Sequence, residues 1–134
     1  MAQIVLKDAS ITINAVDLSS LSNNVEIVYE IESVEVTAFG GNRSFVGGLQ
    51  NNSVTVDVMQ DFAATKTEAT IFPLVGTTTT LVFKPTSGAV SATNPSYTIS
   101  GAYLSSHTPI SATVGELAMT SLTFTGGTLV KAVA

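Results

Sequence analysis

At 134 residues the chain has the length of one domain with a real core, and its 45% hydrophobic against 11% charged residues leaves few charges to coat a monomer. Ten carboxylates against four lysines and Arg43 give a formal net charge of −5, which excludes a nucleic-acid binder that works by displacing counterions from phosphates. The absence of cysteine excludes disulfides and thiolate metal sites, and no apolar run is long enough to span a bilayer.

Small domains usually place charged residues at roughly 25–35% of their surface positions. The shortage here points to a surface hidden by neighbouring subunits, with a Ser/Thr-coated secreted monomer as the alternative. Met1 to Lys7 shows no basic stretch followed by an apolar run, so no secretory signal is expected.

Gln3 to Lys7 and Ser10 to Ile13 read as two short strands around Asp8-Ala9, and Asn14 to Ser20 reads as a turn-rich loop. From Val25 the sequence alternates, with Val25, Ile27, Tyr29 and Ile31 on one face and Glu26, Glu30 and Glu32 on the other. That period of two marks a strand with one wet, acidic face. The phase slips at Val34 and Val36, which predicts a bulge or bend near Glu32-Ser33.

Residues 38–50 read as a mobile, glycine-rich loop in which Gly40-Gly41 and Gly47-Gly48 bracket Asn42 to Val46. The loop carries Phe39, Phe45, Val46 and Leu49 together with Arg43, the chain's one arginine. Loops that expose apolar side chains in this way often become ordered on a partner. The plainer alternative is a long hairpin connection.

Asn52 to Gln60 is the clearest strand, with Val54, Val56 and Val58 on one side and Thr55 and Asp57 on the other. Thr65-Lys66-Thr67-Glu68 has the spacing of a capping box and predicts the start of a short helix. Ala69, Phe72 and Val75 would form its packing stripe, Gly76 would end it, and Pro73 would kink it or finish it by Phe72. Thr77 to Lys84 is β-branched and aromatic and predicts a strand stopped by Pro85.

Residues 85–95 form a loop of small side chains. Ser96 to Leu104 is a strand with Tyr97, Ile99 and Tyr103 sharing one side, and Ser105 to Gly115 is a connection. Glu116 to Thr125 is the last long strand, with Leu122 and Phe124 facing the core. Residues 128–134 form a C-terminal arm or a further edge strand. No internal repeat is present. The expected architecture is one mainly β domain over residues 1–134, a β-sandwich or small β-barrel of about seven to eight strands with one short flanking helix.

No catalytic template fits. His107 is the only histidine and reads as a solvated loop residue between Ser106 and Thr108, with no nucleophile elbow to support a serine triad. Asp57 and Asp61 lack the surrounding Asp-rich loop of a calcium site, and the paired glycines are not followed by the Gly-Lys-Thr of a phosphate cradle. In the series Glu26, Glu30, Glu32 and Glu35, i, i+2 neighbours on a strand face stand roughly 6–7 Å apart, and the series reads as a solvated sheet face. No catalytic residue, metal or cofactor is expected.

The order of the segments carries more. V-L-K-D-A-x-x-T-I-N-A-V-D-L-S is followed by E-V-T-A-F-G, Q-D-F-A-A, T-K-T-E-A-T-I-F-P-L-V-G, T-L-V-F-K-P-T-S-G, S-A-T-N-P-S-Y-T-I-S-G and V-G-E-L-A-M-T-S-L-T-F. This series, from about Ile4 to about Gly127, resembles the major tail tube proteins of long-tailed bacteriophages. Their fold is shared by the tubes of type VI secretion and contractile injection systems. The resemblance implies a structural virion protein in the phage tail, assembled in the host cytoplasm into stacked six-fold rings that conduct DNA.

It further implies self-association and contacts with other tail proteins, such as the tape measure, the tail terminator and the baseplate or tip. DNA would pass through the lumen without specific binding, and no membrane would be involved. Glu26, Glu30, Glu32 and Asp57 would line the lumen. Phe39, Gly40, Gly41, Asn42, Arg43, Phe45, Val46 and Leu49 would form an inter-subunit loop. A capsid decoration or receptor-binding β module is the alternative. The lack of tryptophan, with Tyr29, Tyr97 and Tyr103 all on apolar strand faces, disfavours it.

Overall fold

The computed structural model describes residue 5 and residues 7–133, so most of the strand expected over Gln3 to Lys7 lies outside the described residues. Strand β1 (Ser10–Ile13) turns directly into the two-residue β2 (Val16–Asp17) through Asn14 and Ala15, which have φ of 51° and 65°. Two successive left-handed residues make a type I′ hairpin turn. The chain then passes through a single 3-10 turn, Ser19–Leu21, into β3 (Ser22–Val28).

After β3 come β4 (Ile31–Glu35), β5 (Phe45–Gln50) and β6 (Ser53–Met59). A five-residue helix, α1 (Thr67–Ile71), runs on into a 3-10 turn at Phe72–Leu74. Strands β7 (Thr78–Lys84), β8 (Ser96–Leu104), β9 (Met119–Thr125) and β10 (Thr128–Ala132) complete the chain. The larger sheet is antiparallel, in the order β2-β1-β7-β8-β9-β6-β3 with β10 paired to β8, and β4 and β5 form a separate two-stranded sheet. The fold is therefore mainly β with one short helix, as the sequence predicts.

Strict alternation places Val54, Val56 and Val58 of β6, Leu122 and Phe124 of β9 and Leu81 and Phe83 of β7 on the dry face. Ile11 and Ile13 of β1 join the same core cluster, and Val25 and Ile27 of β3 pack against it. β1 and β3 lie near opposite ends of the strand order, so the sheet curls around one shared interior. Fully burying each of these side chains stabilises the fold by about 1.5–3 kcal/mol.

Pro73 ends the α-helix at Ile71 and leaves a tighter turn behind it, because it lacks the N–H that would continue the ladder. The capping box does not form. Thr65 has a φ of 61° and its hydroxyl donates to the Ala64 carbonyl, while the Thr67 hydroxyl donates to the Met59 carbonyl at 2.7 Å. The predicted packing stripe is also rotated. Thr67, Thr70, Ile71 and Leu74 are buried, whereas Ala69, Phe72 and Val75 are exposed. The buried set has the i, i+3, i+4, i+7 spacing of one helix face, but two of its members are threonines.

Strand β8 departs from alternation at its middle. Ile99 is buried, and so are Ala102 and Leu104, which leaves Tyr103 on the outside rather than beside Ile99. The slip falls at Gly101, with φ 78°, opposite a register shift between Thr79 and Leu81 on β7. A bulge with a left-handed glycine produces this change of face. On its other edge β8 pairs with β10 over Ser96 to Ser100 and with β9 at Tyr103 and Leu104. Gly127 (φ 84°) sits at that fork, where a Cβ would lie 2.7 Å from the Ser100 carbonyl oxygen.

Candidate functional site

One hairpin has no core of its own. Strands β4 and β5 and the connection between them are exposed from Ile31 to Leu49, and Gln50 is half-buried. Phe39 and Leu49 are 108% and 78% exposed, and Ile31, Val34, Val36, Phe45 and Val46 also face solvent. Register places Val34 opposite Val46 on one face and Glu35 opposite Phe45 on the other, so apolar side chains project from both sides. An isolated two-stranded hairpin is marginal in water.

The glycine-bracketed segment is thus not one continuous loop, because Phe45–Gln50 is strand β5 and only the residues before it connect the strands. Gly47 and Gly48 lie within β5. A Cβ on Gly48 would stand 3.1 Å from Val34 Cγ2 and one on Gly47 would stand 3.3 Å from Ile31 Cγ2, so the absence of side chains lets β4 lie close. Arg43 reaches Glu35 at 3.5 Å across the mouth of the hairpin. Both groups are largely exposed, so the pair contributes little to stability. The predicted irregularity near Glu32-Ser33 is present as a register shift between Ile31 and Ser33.

The acidic series divides. The expected single strand from Val25 to Glu32 breaks at Tyr29-Glu30, so Glu26 stays on β3 of the main sheet while Glu32 belongs to the hairpin. Tyr29 and Ile31 follow the hairpin into solvent instead of continuing the inner face of Val25 and Ile27. Glu26 pairs with Thr55, and Asn24 pairs with Asp57 on the same outer face, where Asn24 Nδ2 donates to Asp57 Oδ2 at 3.0 Å. Glu26 and Asp57 are therefore neighbours, and Glu30 sits at the joint between the two sheets.

That joint was not visible in the sequence. Asn52 is 1% exposed, and its side-chain carbonyl accepts from the Glu30 N–H at 3.3 Å. Its amide donates to Gln50 Oε1 at 2.8 Å and to the Gly127 carbonyl at 3.1 Å. Gln50 Oε1 also accepts from the Leu129 N–H at 3.1 Å. The only sequence signal was the pair Asn51-Asn52 ahead of a strong strand, which reads as ordinary turn chemistry.

Two further apolar groups are exposed. Ile110, Val114 and Leu117 project from the connection between β8 and β9, with Val114 at 101%, and Phe62 projects beside the helix that exposes Phe72. The β8–β9 connection is pinned where Gln60 Nε2 donates to the Pro109 carbonyl at 2.6 Å and the Thr108 and Thr120 hydroxyls meet at 2.8 Å. His107 is half-buried there, against the expectation of a solvated loop residue. Its Nε2 is buried without a partner, and Nδ1 lies 3.5 Å from Thr120 Oγ1. Desolvation holds its pKa below the usual histidine value, partly opposed by the Glu68 carboxylate.

A polar cleft of about 600 Å³ lies beside β1 and β3 and is lined by Asp8, Asp17, Ser19, Asn23, Asn24 and Ser87 among others. The Asp17 carboxylate accepts from both the hydroxyl and the N–H of Ser19, which hold its pKa below the ordinary carboxylate value. Both bonds go to Oδ1, which is thereby engaged in local structure. Among the described residues no three His, Asp or Glu side chains gather as metal ligands.

No family model and no curated protein matches the chain. Solved structures do. A chain of the extended sheath–tube complex of an extracellular contractile injection system, PVC, superposes with a TM-score of 0.70 at 14% identity, covering 98% of this chain and 93% of its own. A chain of the sheath/tube terminator of the same system gives 0.71 at 14% identity, with 96% of each chain covered. A chain of the virion of a native gene transfer agent gives 0.61 at 17% identity, covering 96% of this chain and 98% of its own. At these identities what is shared is the fold: this chain has the β architecture found in phage-tail-like tube and terminator assemblies.

Proposed function

We propose that the chain is a structural tail protein that self-assembles into six-fold rings stacked as a tube, a conduit for DNA. The observation that carries this reading is the two-faced apolar hairpin, supported by the fold shared with chains of tube and terminator assemblies. A hairpin apolar on one side would lie flat on its own body or on one partner. One apolar on both sides fits between two neighbouring surfaces.

If docking covers half of what Ile31, Val34, Val36, Phe39, Phe45, Val46 and Leu49 expose, it contributes on the order of 5–10 kcal/mol per subunit before the cost of association. A head-to-tail contact of this kind closes into a ring in one direction and extends as a filament in another. Ile110, Val114 and Leu117 form a second surface for such contacts. The partners are further copies of the chain and the other proteins of a tail, such as a tape measure, a terminator and a baseplate.

In this arrangement the outer face carrying Glu26 and Asp57, with Glu30 and Glu32 at the hairpin base, looks into the channel. Its carboxylates repel phosphates over about 8–10 Å in physiological salt, so a duplex slides without adhering. Sedimentation of the double variant Phe45→Ser, Leu49→Ser tests the assembly. The variant should keep its fold and remain a single subunit at concentrations where the parent chain polymerises, and unaltered polymerisation would refute the hairpin's role. Glu26→Lys with Glu30→Lys and Glu32→Lys should still assemble but release DNA poorly from particles, and normal release would refute the channel assignment.

A further inference from the structure

We infer that Asn52 and Gln50 are positioning residues that set the angle of the hairpin on the body, and that β10 is part of the same joint. The inference deepens the proposed tube reading and rests on it for its consequence, but its physical basis is independent. The two long strands β3-β4 and β5-β6 break at the same level, at Tyr29-Glu30 on one side and Asn51-Asn52 on the other. The Asn51 N–H still donates to the Glu30 carbonyl at 2.7 Å, so the chain keeps one ladder bond at the break and replaces the rest with side chains.

The Asn52 side chain makes three hydrogen bonds there, using both of its N–H donors. Its oxygen takes the Glu30 N–H, and its two amide hydrogens go to Gln50 on the hairpin and to Gly127 at the start of the last strand. The Asn52 carbonyl accepts in turn from the Gly126 N–H at 2.9 Å. Gln50 Oε1 accepts twice, from Asn52 and from the Leu129 N–H of β10. One buried amide and one half-buried amide thus tie three segments together: the hairpin base, the glycine turn and the terminal strand.

Among the described residues the hairpin's side chains from Ile31 to Leu49 are solvent-exposed, so the joint carries its attachment to the body. The joint then sets the hairpin's angle, and a docking element must have a defined angle if every ring is to stack alike. The tie also runs the other way. β10 pairs with β8 on one edge, and at Leu129 the Gln50 side chain occupies the other. Loosening β10 therefore loosens the hairpin, and docking the hairpin tightens β10.

The chain contains no cysteine, so two introduced thiols can be labelled cleanly in it. Spin labels at Asn42→Cys, in the hairpin connection, and Thr123→Cys, on the outer face of β9, report the hairpin angle by pulsed dipolar spectroscopy in dilute solution. Gln50→Leu should broaden the distance distribution about twofold and speed exchange of the Leu129 amide by roughly tenfold, the loss of a typical hydrogen bond. Gln50→Glu keeps the accepting oxygen and should restore both.

A distribution that stays narrow in Gln50→Leu while the Leu129 amide exchanges faster would overturn the joint. So would broadening that Gln50→Glu fails to rescue. Neither readout requires polymerisation, so failure of the parent chain to form tubes would count against the proposed function and leave this result standing or falling alone.

Discussion

Of the ten glycines, Gly127 has the least room for a side chain. It has a φ of 84°, and a Cβ placed on it would lie 2.7 Å from the Ser100 carbonyl oxygen, 2.9 Å from Ile99 Cγ2 and 3.1 Å from the Ala102 nitrogen. Gly126 beside it has a φ of 77° but nothing within 4 Å of its Cβ position. Gly126→Ala therefore isolates the left-handed backbone cost of about 1–2 kcal/mol. Gly127→Ala adds a clash against backbone atoms that cannot swing aside, with overpacking of this kind costing a further 1–3 kcal/mol or about that.

The expected totals are about 1–2 kcal/mol for Gly126→Ala and about 2–5 kcal/mol for Gly127→Ala, the latter a large share of a typical domain's stability. Urea unfolding followed by circular dichroism, below the concentration of assembly, measures both. Gly127→Ala should also release β10 from β8, visible as faster amide exchange over residues 128–132. Equal destabilisation by the two variants would refute the close crossing of β8 and the Gly126-Gly127 turn.

Burial keeps His107 from taking a proton as readily in the fold as in the unfolded chain, whose value is near 6.5. Its contribution is therefore complete above pH 6.5 and lost as the pH falls from there through the lower folded value. Unfolding free energy should decline across that range, and His107→Gln should flatten the decline; an unchanged slope would contradict the assignment. Asp17, held down by Ser19, acts in the same direction below its ordinary 3.8, so Asp17→Asn should weaken the acid dependence there. Ala15 occupies a left-handed position with φ 65°, and Ala15→Gly should raise stability by about 0.5–1 kcal/mol in the same denaturation assay.

Strands whose two faces differ were legible from the chain itself. Val54, Val56 and Val58 alternate with polar residues, and Leu122 and Phe124 fall on the dry face as their spacing requires. Pro73 likewise marked the end of the helix. The misreadings have a common cause, namely that side-chain type and side-chain position disagree. Thr67 is buried with its hydroxyl bonded to the Met59 carbonyl, Thr70 is buried beside it, and Phe72 is exposed.

Tyr103 changed face because a bulge needs only one left-handed residue, and Gly101 in a strand-like run does not announce it. Ala15 hid the first hairpin for the converse reason, since glycine is the usual residue there. The joint around Asn52 depends on Gly127 and Leu129, about 75 residues away along the chain. No local pattern encodes such a contact. The hairpin's exposed side chains were visible as apolar residues among glycines, but their lack of any core of their own emerged only from burial.

As a tube subunit, this chain would be a repeating unit whose exposed apolar hairpin is completed by another copy. Electron microscopy of the purified chain at high concentration is the direct check. Six-fold rings in end view and stacked tubes in side view, with density for the hairpin against the adjoining ring, are the expected result. Isolated compact particles at every concentration, even after mixing with the tail proteins it would be expected to meet, would contradict it.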